Sequence, residues 1–108
     1  MNQQFGLSAQ AIDQLCRVFQ GYPEIERVLV YGSRAKGNYR PGSDIDLSLI
    51  APAMRLETLL HIENRLDDLL LPWMTDLSLL HQIDNPDLVE HINRVGIDLC
   101  HFPAANNK

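Results

Sequence analysis

The side chains in this sequence that could do chemistry together lie mostly in YGSRAKGNYRPGSDIDLSL, positions 31–49. Asp44 and Asp46 stand at i and i+2, the spacing that puts two side chains on one face of a β-strand. Further on, DLSLL beginning at Asp76 echoes DLSLI beginning at Asp46. If the strands carrying these stretches are neighbours, Asp46 and Asp76 project into one space, with Asp44 beside them. Carboxylates gathered in this way repel one another at neutral pH, and one of them must take up a proton unless a cation intervenes. Hard oxygen donors select Mg2+, for which Mn2+ can substitute, and Mg2+ commonly divides its shell between one or two carboxylates and substrate phosphates. A DxD triplet alone reads more simply as the wet face of an edge strand.

The residues ahead of the aspartates favour a site. Gly32 lets backbone amides approach a ligand, and Ser33 is the expected N-cap of a short helical turn closing at Gly37. A helix start attracts anions through its exposed N–H groups and its dipole. Arg34, Lys36 and Arg40 crowd positive charge into the same loop, in a chain whose nine Lys and Arg face fourteen Asp and Glu for a net charge of −5. A cationic spot on an acidic chain suits a small phosphate ligand and argues against nonspecific binding to nucleic acid. Taken singly, these cations read as an ordinary solvated turn.

In this order, Gly32-Ser33, ten residues, then Asp44-x-Asp46, the stretch resembles the polymerase-β-type nucleotidyltransferase signature. It is similar in particular to the minimal nucleotidyltransferases, the MNT antitoxins paired with HEPN toxins. The resemblance implies that Gly32 and Ser33 bind the β- and γ-phosphates of ATP, with Arg34 assisting. It implies two Mg2+ ions on Asp44 and Asp46, and an Asp76 that completes the second metal site and helps deprotonate the attacking hydroxyl. The implied reaction is transfer of AMP to a tyrosine of a partner HEPN ribonuclease, within a hetero-oligomeric complex, which silences the toxin.

The elements that must position these residues follow from periodicity. Ser8 opens a helix with Ile12, Leu15, Cys16 and Phe19 on one stripe and Gly21 as its stop. Arg27 to Tyr31 read as a strand ending at Gly32, and DIDLSLI as a second, with Asp44, Asp46 and Ser48 on one face. A long helix over 54–70 carries Leu59, Ile62, Leu66 and Leu69, and TDLSLL after Pro72 is a third strand. Asn85-Pro86 caps a fourth helix with Leu88, Val89, Ile92 and Val95 inward, GIDLCHF gives a short last strand, and PAANNK a frayed tail. The fold class is therefore α/β, a small mixed β-sheet with helices packed against it, in a single domain over 1–108. The resemblance makes it a polymerase-β-like nucleotidyltransferase core.

The remaining residues read more simply. No apolar run approaches the roughly 20 residues of a membrane span. The N-terminus lacks the basic and apolar regions of a secretory signal, so the expected setting is cytoplasmic and Cys16 and Cys100 are expected as reduced core residues. His61, His81, His91 and His101 share no ligand spacing, and Trp73 and Tyr31 are packing residues first, with partner contact and adenine stacking as their respective alternatives. Glu63, Asp67 and Asp68 belong to the wet face of the long helix. Two rival functions stand beside the transferase: a non-catalytic antitoxin that neutralises its toxin by binding alone, and an adenylyltransferase for small molecules. The second of these ordinarily needs an extra substrate domain, for which 108 residues leave no room.

Overall fold

The computed structural model describes residues 5–100 of the chain. Ser8 has the extended backbone of an N-cap (φ −68°, ψ 157°), and its side chain accepts a hydrogen bond from the Ala11 N–H at 3.1 Å. Helix α1 (Ala9–Gln20) follows and turns Leu15, Cys16, Val18 and Phe19 into the core. After strand β1 (Arg27–Tyr31) come one helical turn, α2 (Ser33–Lys36), and strand β2 (Ile45–Ile50). Helix α3 (Leu56–Asp67) leads to β3 (Thr75–Leu79) and a 3-10 turn at Leu80–Gln82. Helix α4 (Pro86–Val95) and the two-residue β4 (Ile97–Asp98) complete the order.

The strands form one sheet in the order β3-β2-β1-β4. β1 is antiparallel to both β2 and β4, whereas β2 and β3 run parallel. That parallel pair requires a crossover, which α3 supplies. The mixed sheet and the element order agree with the sequence reading. One face presents Val28, Val30, Ile45, Leu47, Leu49, Leu77 and Leu79, all buried, and α1 and α3 pack on it with Leu15, Phe19, Leu59, Ile62 and Leu66. The other face carries Leu29, Tyr31, Asp46, Ser48, Asp76 and Ser78, since strand side chains alternate. α4 covers part of this second face: Ile92 is fully buried, and the His91 ring stands edge-on to Tyr31 with centroids 6.3 Å apart.

Several expectations need correcting. The N-cap of α2 is Gly32, not Ser33, which is the first helical residue and makes no capping bond. α3 stops at Asp67 rather than 70, because Pro72 disfavours helix at Leu71 and Leu70 has already turned to a positive φ of 55°. Leu69 therefore packs on the core from beyond the helix. In α4 only Ile92 is buried, while Leu88, Val89 and Val95 are half-buried, because no further layer covers that helix. Cys16 and Cys100 are not two reduced thiols: both are buried, but they are joined as a disulfide across 84 residues. Their Cα atoms, 5.7 Å apart, lie within reach of such a bond, a proximity that local spacing in the sequence cannot reveal. The expected tail, the HF of the last strand and His101 lie outside the described residues.

Leu47 is fully buried at the centre of the sheet, between both neighbouring strands and the helical layer. Leu47→Ala is expected to lower unfolding free energy by about 3 kcal/mol, measured by urea denaturation.

Candidate functional site

The parallel register of β2 and β3 decides which acidic side chains meet. Asp46 lies directly opposite Asp76, and Ser48 opposite Ser78 one layer deeper. On its other side Asp46 pairs with Tyr31 at the end of β1. Asp44 sits one residue ahead of β2 and, two positions from Asp46, follows the same alternation. Asp44 and Asp76 are exposed, whereas Asp46 is half-buried. Burial, reinforced by Asp76 and then Asp44, pushes the Asp46 carboxyl above the ordinary aspartate range, and Arg34 opposes the shift. Among the described residues, no three His, Cys, Asp or Glu side chains are gathered closely enough to hold a metal ion as they stand. The donor chemistry nonetheless fits one: hard carboxylate oxygens on one sheet face carry a like-charge conflict that a divalent cation would relieve.

Gly32 closes the other side of this space. Its backbone (φ 73°, ψ −151°) lies in a region essentially reserved for glycine. A Cβ here would collide with the Oδ2 atom of Asp46, so the turn and the carboxylate are in close approach. The left-handed Gly37 (φ 86°) ends α2 with its N–H bonded to the Ser33 carbonyl at 2.9 Å. The first intrahelical bond runs from the Lys36 N–H to the Gly32 carbonyl at 3.1 Å. The N–H groups of Ser33, Arg34 and Ala35 come before it.

The floor of the site is polar. Ser48 is fully buried, and the Ser78 hydroxyl donates to its Oγ at 3.0 Å. Tyr31 stands over this pair, its hydroxyl pKa raised by burial and by the charges of Asp46 and Asp76 against a hydrogen bond with Ser78.

Arg34, which the resemblance implies assists at the phosphates, is buried with only 3% of its surface exposed. Its Nε and Nη2 groups donate to the Ser43 carbonyl at 3.2 and 2.6 Å, and Nη1 donates to the Phe5 carbonyl at 2.7 Å. The guanidinium also lies over the rings of Tyr39 and Trp73, 5.0 and 5.7 Å from their centroids. Burial pulls its pKa down, and Tyr39, Asp44 and Asp46 pull it back up. Lys36 and Arg40 are exposed. Sequence reading passed over Tyr39 and gave Trp73 a packing role first, with partner contact as the alternative; the signal available was one aromatic residue inside the signature and another three residues before Asp76. His61 bonds the Tyr22 hydroxyl at 2.8 Å and stands apart from the carboxylates.

Residues 13–101 match the model of the family described as polymerase beta, nucleotidyltransferase. No curated protein matches the sequence significantly. Among solved structures, a toxin-antitoxin with AMP-PNP superimposes with a TM-score of 0.69 at 18% identity, covering 84% of this chain and 73% of that one. The toxin-antitoxin MntA-HepT gives a TM-score of 0.66 at 15% identity, covering 88% of this chain and 74% of that one. At these identities the likeness is one of fold.

Two outcomes follow from this geometry. A carboxyl whose pKa is raised in the folded state is ionised at a cost, so stability falls as pH rises from the unfolded value through the raised one. Asp46→Asn should therefore raise the melting temperature of the metal-free protein at pH 7, and the gain should shrink as pH falls into the range where the native carboxyl is protonated. Gly32→Ala should destabilise the fold by about 1–3 kcal/mol in denaturant titration, from backbone strain and the clash with Asp46.

Proposed function

Because the chain belongs to the polymerase beta nucleotidyltransferase family, we propose that it transfers AMP from ATP to a tyrosine hydroxyl of a HEPN-type toxin and is that toxin's antitoxin. The observation that carries this reading is the pairing of Asp46 with Asp76 on one sheet face, against a glycine turn that admits nothing larger. The fold-level likeness to toxin-antitoxin structures, one of them with AMP-PNP, supports the choice of partner and nucleotide.

In this reading Asp44 and Asp46 would hold two Mg2+ ions, and Asp76, opposite Asp46 in the sheet, would complete the second site. Bound Mg2+ neutralises phosphate charge and stabilises the leaving pyrophosphate oxygen. The N–H groups at the start of α2, with the Ser33 hydroxyl, donate to the β- and γ-phosphates. Asp76 accepts the proton of the acceptor tyrosine, whose oxygen forms a bond to the α-phosphorus as the bond to pyrophosphate breaks. Such chemistry depends on positioning and charge neutralisation, which a rigid sheet face provides. Mn2+ substitutes for Mg2+ on the same oxygen donors. The proposed setting is the cytoplasm, in a complex with the toxin, a compartment where a disulfide such as Cys16–Cys100 is uncommon; among the described residues no helix is long and apolar enough to cross a membrane.

The rival reading, an antitoxin that acts by binding alone, draws on the open placement of Asp44 and Asp76 and on the absence of a ready-made three-ligand cluster among the described residues. Incubation with ATP labelled at the α-phosphate, Mg2+ and the neighbouring gene's product separates the two. Label on the toxin is expected, with Asp46→Asn lowering its rate by at least about 10²- to 10³-fold. A toxin silenced stoichiometrically with no label incorporated would establish the binding reading instead.

A further inference from the structure

Arg34 is placed where a cation is expensive. It is one of two buried polar or charged residues among those described, and the other, Ser48, is neutral. Burying a guanidinium is tolerated only when its donors and charge are well matched. Here both Nε and Nη2 converge on a single acceptor, the Ser43 carbonyl, and Nη1 reaches across to Phe5. The Ser43 carbonyl belongs to the peptide group that carries the Asp44 nitrogen. The rest of the loop is tied to the same point: the Ser43 N–H donates to the Arg40 carbonyl at 3.0 Å, and the Arg40 N–H donates to the Ser43 Oγ at 3.0 Å. One residue beyond Asp44, the Ile45 N–H donates to the Met74 carbonyl at 2.8 Å.

We propose that Arg34 is a positioning residue for the metal site: it grips the Ser43–Asp44 peptide and fixes Asp44 beside Asp46, and it does not serve as a phosphate contact. The inference rests on the reading of Asp44 and Asp46 as metal ligands. Tyr39 and Trp73 hold the guanidinium plane from their own segments, so the grip joins the glycine turn, the loop before β2 and the approach to β3. A planar fork is required for this, since a lysine at the same place cannot make the paired bonds to one carbonyl.

Three roles for Arg34 predict three different signs, which makes the test decisive. Mn2+ binding is measured without nucleotide, by electron paramagnetic resonance of the free ion, for the intact protein, Arg34→Lys and Arg34→Gln. Positioning predicts weaker Mn2+ binding in both variants, by about 10- to 100-fold, as when a group that orients metal ligands is removed. A phosphate contact predicts unchanged Mn2+ affinity with weakened ATP binding, and that result overturns the proposal. A purely electrostatic role predicts tighter Mn2+ binding in Arg34→Gln, because a cation near Asp44 and Asp46 has been removed, and this overturns it too. Should neither variant fold by circular dichroism, Tyr39→Leu, which removes only a stacking partner, should weaken Mn2+ binding in the same direction; unchanged affinity there counts against the proposal. Asp46→Asn serves as the reference. If the intact protein binds Mn2+ no better than Asp46→Asn, the metal-site reading itself fails, whereas Asp46-dependent binding that ignores Arg34 refutes the positioning role alone.

Discussion

The pairing of Asp46 with Asp76 across two parallel strands is the constraint on which the arrangement turns. Like charges directly opposite one another destabilise a sheet, and here one of them is also half-buried. The register is nevertheless fixed, because slipping by one residue would carry Leu47, Leu49, Leu77 and Leu79 out of the core. Burial of the leucine face thus holds the aspartate face in a conformation it would not choose. The core on one side of the sheet is what keeps the acidic pair on the other.

The surroundings stiffen this arrangement with polar contacts. Beneath the carboxylates, the Ser78 hydroxyl donates to the buried Ser48 in a place where apolar residues would pack more simply. To the side, Arg34 draws the Phe5, Ser43 and Trp73 segments toward one guanidinium. Above, Gly32 adopts a backbone that other residues avoid, so that the turn can lie against Asp46. Each device gives up local ease for geometry, a trade expected where a site must be ready before its ligand arrives.

Most of the framework was legible in the sequence because local chemistry decides it. The cap at Ser8, the strict alternation through Ile45–Leu49 and the Asn85-Pro86 start of α4 each act within a few residues. The repeated DLSL stretches gave the strand neighbours correctly, since two strands with the same face pattern can share one register. What escaped depends on contacts between distant segments. The Cys16–Cys100 bond joins residues 84 apart, and the burial of Arg34 requires Phe5, Tyr39, Ser43 and Trp73 to assemble around it. For a basic residue after a Gly-Ser turn, the sequence displays the charge and hides the burial.

The site's openness gives the proposed function its remaining logic. Asp44 and Asp76 face outward, and α4 covers only part of their sheet face, through Ile92 and His91. A groove of about 650 Å³ lies elsewhere, lined by Ile83, Pro86, Val89 and Glu90, and none of Asp44, Asp46 and Asp76 contributes to it. A nucleotide at Asp46 would therefore have one wall from the sheet and one from the glycine turn, leaving a side for another molecule to close. An acceptor on a separate protein can supply that side, and water is then excluded only when the acceptor hydroxyl is in place. For a transferase whose competing reaction is hydrolysis, a half-built cleft completed by its own substrate protein is a physical route to specificity.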